Sequence, residues 1–182
     1  MTPADNFCFV GLMGSGKTTL GRVLARNRGM DCVDSDHEIV ARCGVSIPTI
    51  FEIEGEAGFR RRETSVIDEL TQRHGIVLAT GGGAILDPVN RQHLKERGTV
   101  IYLHGLPAEL FLRTRGDRNR PLLQNEDPLA KLTELYALRH PLYLEVADIV
   151  LDTGRQSVHS LMAKLERQLA ELGFPPPPAS LP

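Results

Sequence analysis

Short apolar runs alternate with longer stretches of helical periodicity along this chain. Phe7–Val10, residues 32–33 with their flanking aspartates, Ile76–Ala79, residues 100–103 and residues 149–151 each read as a buried strand. A helix is predicted over Lys17–Arg28, with Leu20, Val23 and Leu24 on one face and Gly29 as its stop. A longer helix runs through Phe59, Val66, Ile67 and Leu70 to Gly75, and another opens after Asp87 with Pro88 at its first position. Near the C-terminus Val158, Leu161, Met162, Leu165 and Leu169 recur at helical spacing before Gly173. Strands that alternate with helices imply a parallel sheet covered on both faces, with ligands bound at the carboxyl ends of the strands. Two stretches break the rhythm. Residues 37–62 hold helical pieces and no strand, which suits a small insertion over the site. Residues 115–127, RGDRNRPLLQNED, are polar and rich in turn formers, as a mobile lid would be. Residues 1–174 read as one domain, and the proline-rich tail at 175–182 is expected to be extended or disordered.

Composition narrows the function classes. The formal charge of −2 and pI near 6.3 give no global attraction to nucleic acid or to acidic membranes. Arginine is locally dense in FRRRE and RTRGDRNR, which points to a small anionic ligand as readily as to a solvated face. Cys8, Cys32 and Cys43 are odd in number and lack metal spacing, so they read as buried thiols in a reducing cytoplasm. No apolar run is long enough to span a membrane, and the N-terminus lacks a signal-like core. A cytoplasmic monomer is the expectation.

GLMGSGKT, residues 11–18, satisfies the phosphate-loop pattern with a strand before it and a helix after it. Glycines let backbone N–H groups curl around phosphates, and the helix N-terminus adds its dipole. Gly14, Ser15, Gly16, Lys17, Thr18 and Thr19 are therefore the candidate nucleotide residues, with Lys17 on the transferred phosphoryl group and Thr18 on Mg²⁺. The guanine-reading NKxD and the DxxG switch of GTPases do not occur, which leaves a small kinase or a regulatory nucleotide binder.

A kinase must also hold an acceptor hydroxyl. Asp34 and Asp36 in CVDSDHE follow the second strand and would share a side if the strand extended that far. The alternative is that Ser35 or Asp36 caps a helix starting near His37, itself read as a surface residue. Of the arginines in GEAGFRRRE, Arg60 beside the apolar Phe59 is the inward candidate. Arg120, fixed by Pro121 in the lid stretch, could close over phosphates, and Arg139 before Pro141 could be aimed into a cleft by a helix end.

In order along nearly the whole chain, GLMGSGKTTLGRVLA, DSDHEI, IFEIEGEAGFRRRE, VLATGGGA, NRPLL and LRHPLY resemble shikimate kinases. The resemblance implies a nucleoside-monophosphate-kinase-like α/β fold of the P-loop NTPase class, with a five-stranded parallel sheet of order 2-3-1-4-5. It implies ATP-dependent phosphorylation of the shikimate 3-hydroxyl. By residue, it implies Thr18 and Asp34 at Mg²⁺, and Asp36 on the ring hydroxyls. Arg60 and Arg139 would hold the shikimate carboxylate, Gly81, Gly82 and Gly83 would line its pocket, and Phe51 and Phe59 would wall the ring. Arg120 would be the lid arginine on the transferring phosphoryl group, and Arg113 and Arg155 would pack against adenine. With no side chains at 81–83, a ring-shaped acceptor could approach the backbone closely, although a plain tight turn is the alternative. The rivals are a gluconate-type or other small-metabolite kinase on the same core, and a catalytically silent nucleotide-binding relative.

Overall fold

A computed structural model describes residues 5–115 and 126–176. Five strands, β1 (Phe7–Val10), β2 (Asp31–Asp34), β3 (Ile76–Ala79), β4 (Thr99–His104) and β5 (Ile149–Asp152), form one sheet of order β2-β3-β1-β4-β5. Every neighbouring pair is parallel, as the strand–helix alternation predicts. The helices are α1 (Lys17–Arg28), α2 (Ser35–Cys43), α3 (Ile47–Thr71), α4 (Pro88–Arg97), α5 (Pro107–Thr114), α6 (Pro128–Val146) and α7 (Val158–Glu171).

The core has two halves because the sheet is covered twice. On one face Leu20 and Leu24 of α1 pack with Leu165 and Leu169 of α7 against Phe9, Val77 and Leu103. On the other, Phe59, Ile67 and Leu70 of α3 pack with Leu94, Leu132 and Tyr143 against Val10, Leu78 and Tyr102. The three inner strands β1, β3 and β4 therefore show alternate residues to each half.

Strand register positions the site. Phe9 pairs with Ala79, and Asp34 also pairs with Ala79, so the carboxyl ends of β1, β2 and β3 lie level. The phosphate loop, the aspartates and the triple glycine leave the sheet side by side at that edge.

Four local expectations change. β2 is an edge strand with Asp31 and Cys32 exposed, so it is not buried as its apolar pair suggested. Cys43 is half-buried, and only Cys8 is fully buried, its thiol pushed up to about 12 by desolvation and then by the nearby Asp148. The long helix α3 ends at Thr71 rather than running to Gly75. Pro141 lies inside α6, which continues to Val146, so Arg139 sits mid-helix and no helix end aims it. Residues 37–62 are indeed helical throughout their ordered elements, in α2 and the first half of α3, with a break at Gly55.

Candidate active site

The phosphate side is built by the turn between β1 and α1. Gly14 and Gly16 adopt φ of 79° and 97°, left-handed values that a side chain would strain, and so keep the loop's N–H groups turned inward. Lys17 is buried at the start of α1, and its Nζ donates to the carbonyl oxygens of Gly11 (2.8 Å) and Leu12 (3.0 Å). The ammonium is thereby held within the loop it must serve. Ser15 Oγ is buried without a hydrogen-bond partner among the described residues, which fits a loop shaped for an anion's oxygens.

Thr18 and Asp34 form the adjoining oxygen pair. The Thr18 hydroxyl donates to Asp34 Oδ2 at 2.6 Å. Asp34 Oδ1 accepts from the backbone N–H groups of Asp36 (3.0 Å) and His37 (3.2 Å), so Asp34 is the N-cap of α2. Neither Ser35 nor Asp36 caps the helix, because β2 ends at Asp34 and α2 begins at Ser35. Asp36 consequently reaches the site from the first helical turn, not by strand alternation. Two hard oxygens beside a phosphate loop suit Mg²⁺, which takes one or two protein ligands and completes its shell with phosphate and water.

The acceptor side converges on Gly81, Gly82 and Gly83. Each glycine is the point of approach of a different functional group. A Cβ on Gly81 would lie 2.7 Å from Asp36 Oδ1 and 2.8 Å from Glu63 Oε2. One on Gly82 would lie 3.5 Å from Arg139 Nη1 and 3.4 Å from the Gly11 carbonyl oxygen of the phosphate loop. One on Gly83 would occupy the space of the Arg60 guanidinium. A side chain at Gly81 or Gly83 would have to displace the charged groups beside it, whereas at Gly82 a Cβ would meet its neighbours at ordinary contact distance. Ser35 Oγ accepts from the Gly81 N–H at 3.0 Å, and the Tyr143 hydroxyl donates to the Gly82 carbonyl at 2.5 Å, which pins the floor from both sides.

Electrostatically the floor sets two guanidiniums, Arg60 and Arg139, among the carboxyl groups of Glu56, Glu63 and Asp36. Arg60 donates to Glu63 Oε1 at 2.8 Å and lies 3.2 Å from Glu56. Burial opposes the Arg60 charge, but the two glutamates more than offset it and its pKa rises. Arg139 is 2 % exposed and has no carboxylate within ion-pair distance among the described residues. Burial lowers its pKa; Tyr143 opposes that shift and the Arg60 charge adds to it. Its Nε has no hydrogen-bond partner among the described residues. An isolated buried charge costs several kcal/mol, of order 3–5 when a partner is removed. Two guanidiniums over one glycine floor thus call for a carboxylate-sized anion. Glu63, 1 % exposed, has its pKa pushed up to about 7 by desolvation, with Arg60 pulling it down and Asp36 pushing it up.

A cleft of about 620 Å³ runs from Lys17, Thr18 and Arg113 on the phosphate side to Asp36, Gly81 and Gly82; Arg60, Arg139, Gly83, Phe51 and Phe59 do not line it. Phe51 and Phe59 pack with ring centroids 5.0 Å apart, and Arg60 lies over the Phe59 ring. Thr19 is exposed on α1, and His37 is exposed at the rim of the cleft. Arg113 donates to the carbonyl oxygens of Gly14, Thr153 and Gly154, which joins the phosphate loop to the loop after β5. Arg155 is exposed in that same loop. Arg120 lies outside the described residues.

Glu63 and Tyr143 were not among the residues singled out from sequence, and Ser35 was named only as a possible helix cap. Helical spacing contains two of the signals: Glu63 is one turn beyond Arg60, and Tyr143 one turn beyond Arg139. Ser35 has none, since its contact with Gly81 crosses from α2 to the loop after β3.

Comparison with known proteins follows the same lines. The family model described as shikimate kinase matches residues 13–170. A shikimate kinase of Ralstonia nicotianae is 60% identical over 176 residues, spanning 97% of this chain and 93% of that protein. The solved structure of a shikimate kinase from Acinetobacter baumannii in complex with shikimate is 48% identical with a TM-score of 0.91, covering 94% of this chain and 95% of that one. A gluconokinase from Sinorhizobium meliloti shares the fold at a TM-score of 0.56 and 15% identity, over 92% of each chain.

Proposed function

The chain belongs to the shikimate kinase family, and from that premise we propose how its residues share the work of phosphorylating shikimate with ATP. The single observation that carries the assignment is the buried Arg139 guanidinium, without a carboxylate partner among the described residues, beside Arg60 over the glycine floor. A substrate carboxylate completes that cluster. Bidentate pairing with the arginines then fixes the ring in one orientation. Phe51 and Phe59 wall it, and its 3-hydroxyl meets Asp36 at the junction with the phosphate side.

The transfer itself asks mainly for alignment and charge. Its transition state is loose, with charge spread over the equatorial oxygens of the moving phosphoryl group. Lys17 follows that charge. Thr18 and Asp34 would hold Mg²⁺, which when bound neutralises the β- and γ-phosphate oxygens. Asp36 orients the attacking hydroxyl and takes its proton late, since a loose transition state demands little of a base. Arg113 and Arg155 bracket the adenine side. Arg120 closes over the phosphates from the segment 115–127, which acts as a lid, while residues 37–62 form the acceptor-binding insertion.

Among the described residues no helix is long and apolar enough to cross a membrane. Unbridged cysteines and an ATP-dependent reaction favour the cytoplasm, and a cleft completed by one chain's residues favours a monomer. Purified protein with ATP, Mg²⁺ and either shikimate or gluconate tests the reading. ADP release with shikimate alone is expected. Release with gluconate alone, or nucleotide binding without turnover, would overturn it.

Glu63 gives the acceptor site a pH dependence of definite sign. Below about 7 its carboxyl is neutral and the charge of Arg60 is left for the substrate carboxylate. Above that it ionises, competes for Arg60 and repels the incoming anion. The shikimate Kd should therefore rise by about three- to tenfold from pH 6 to pH 8. Binding near neutrality should take up a proton, visible in calorimetry as a buffer-dependent enthalpy. In Glu63→Gln both effects should vanish. A pH-dependent Kd that survives in Glu63→Gln would show that another group is responsible.

A further inference from the structure

Tyr143 touches both halves of the acceptor pocket without facing the acceptor. Its hydroxyl donates its one proton to the Gly82 carbonyl, and Arg139 lies one helical turn earlier on the same side of α6. Arg139 Nη1 in turn packs against Gly82. The ring cannot turn away, because Tyr143 is 1 % exposed and stacks on Tyr102 at 4.9 Å between centroids. On the same side Gly82 lies close to the Gly11 carbonyl and the Met13 N–H of the phosphate loop.

We propose that Tyr143 is a positioning residue: through its hydroxyl on the Gly82 carbonyl it sets the part of the glycine floor against which the Arg139 clamp lies. The inference rests on the acceptor-pocket reading above. Arg139 has no carboxylate within ion-pair distance among the described residues, so the placing of its guanidinium depends on the floor it lies against. Without the Tyr143 hydroxyl the Gly82 carbonyl loses its donor, and the floor beneath the guanidinium loses its anchor. Shikimate must then organise both as it binds, at a cost in affinity.

Tyr143→Phe removes one atom and keeps the ring stack. The shikimate KM should rise by about ten- to a hundredfold, with kcat within about threefold of wild type and the ATP KM unchanged. Tyr102→Phe is the matched control, since it also deletes a phenol oxygen from the stack, but one that meets His140 Nδ1 at 2.8 Å. It should leave the shikimate KM unchanged. Equal effects from the two variants, or no effect from Tyr143→Phe, would overturn the inference. Arg139→Lys separates the two claims: an unchanged shikimate KM there would defeat the acceptor-pocket reading itself. A measurement on the wild-type protein avoids any folding defect. With three tyrosines in the chain, ¹³C-tyrosine labelling resolves each ring. The Tyr143 phenol resonance should shift on adding shikimate but not on adding ADP, and a Tyr143 signal indifferent to shikimate would refute the role.

Discussion

Lys17→Met is expected to lower kcat by about a thousandfold or more, equivalent to roughly 4 kcal/mol of lost transition-state stabilisation. The magnitude follows from where the charge sits. Lys17 is buried and anchored on the Gly11 and Leu12 carbonyls, so water cannot take over its role on the transferring phosphoryl group. Methionine keeps the length of the side chain and removes only the charge and the donors. The loss should fall on kcat, with the shikimate KM within about threefold, because the acceptor groups Arg60, Arg139 and Gly83 lie on another part of the floor. A coupled ADP-release assay on both proteins checks it. A variant retaining a tenth of wild-type turnover would show that the loop's backbone donors suffice and that Lys17 is not the charge that matters.

Asp36→Asn has the second largest effect, a fall in kcat of about a hundred- to a thousandfold. Asparagine preserves shape, so the first turn of α2 and its cap by Asp34 should stand unchanged. What disappears is the charge that orients the hydroxyl and the base that receives its proton. ATP affinity, read by calorimetry, should be unaffected. Because Asp36 helps to keep Glu63 protonated, the pH midpoint of shikimate binding should also move down in this variant. Full activity in Asp36→Asn would remove Asp36 from the mechanism.

Much of this arrangement is legible in the chain because its signals are local. The phosphate loop announces itself in eight consecutive residues, and the strand–helix rhythm around it implies the parallel sheet. The remaining site residues come from elements far apart in sequence, and Arg60, Arg139 and the triple glycine gain meaning only as a set. Edge status is invisible in a two-residue apolar pair, which is why β2 reads as buried when its outer positions are exposed. Pro141 reads as a helix end, yet α6 runs through it and loses only the bond that Pro141 cannot donate. Glu63 looks like one more charge in FRRRE. Only the fold shows that its face of α3 turns toward Gly81 and Asp36 rather than to water.

The triple glycine is the part of the account on which the rest depends. If Gly81, Gly82 and Gly83 form the acceptor floor, the substrate must lie on them with its carboxylate and its reactive hydroxyl at opposite ends. A crystal structure of this protein with ADP and shikimate measures that directly. The prediction is a carboxylate within hydrogen-bond distance of both Arg60 and Arg139, a ring against residues 81–83, and the 3-hydroxyl on Asp36. A carboxylate bound elsewhere, or a ring held away from the glycines, would contradict it.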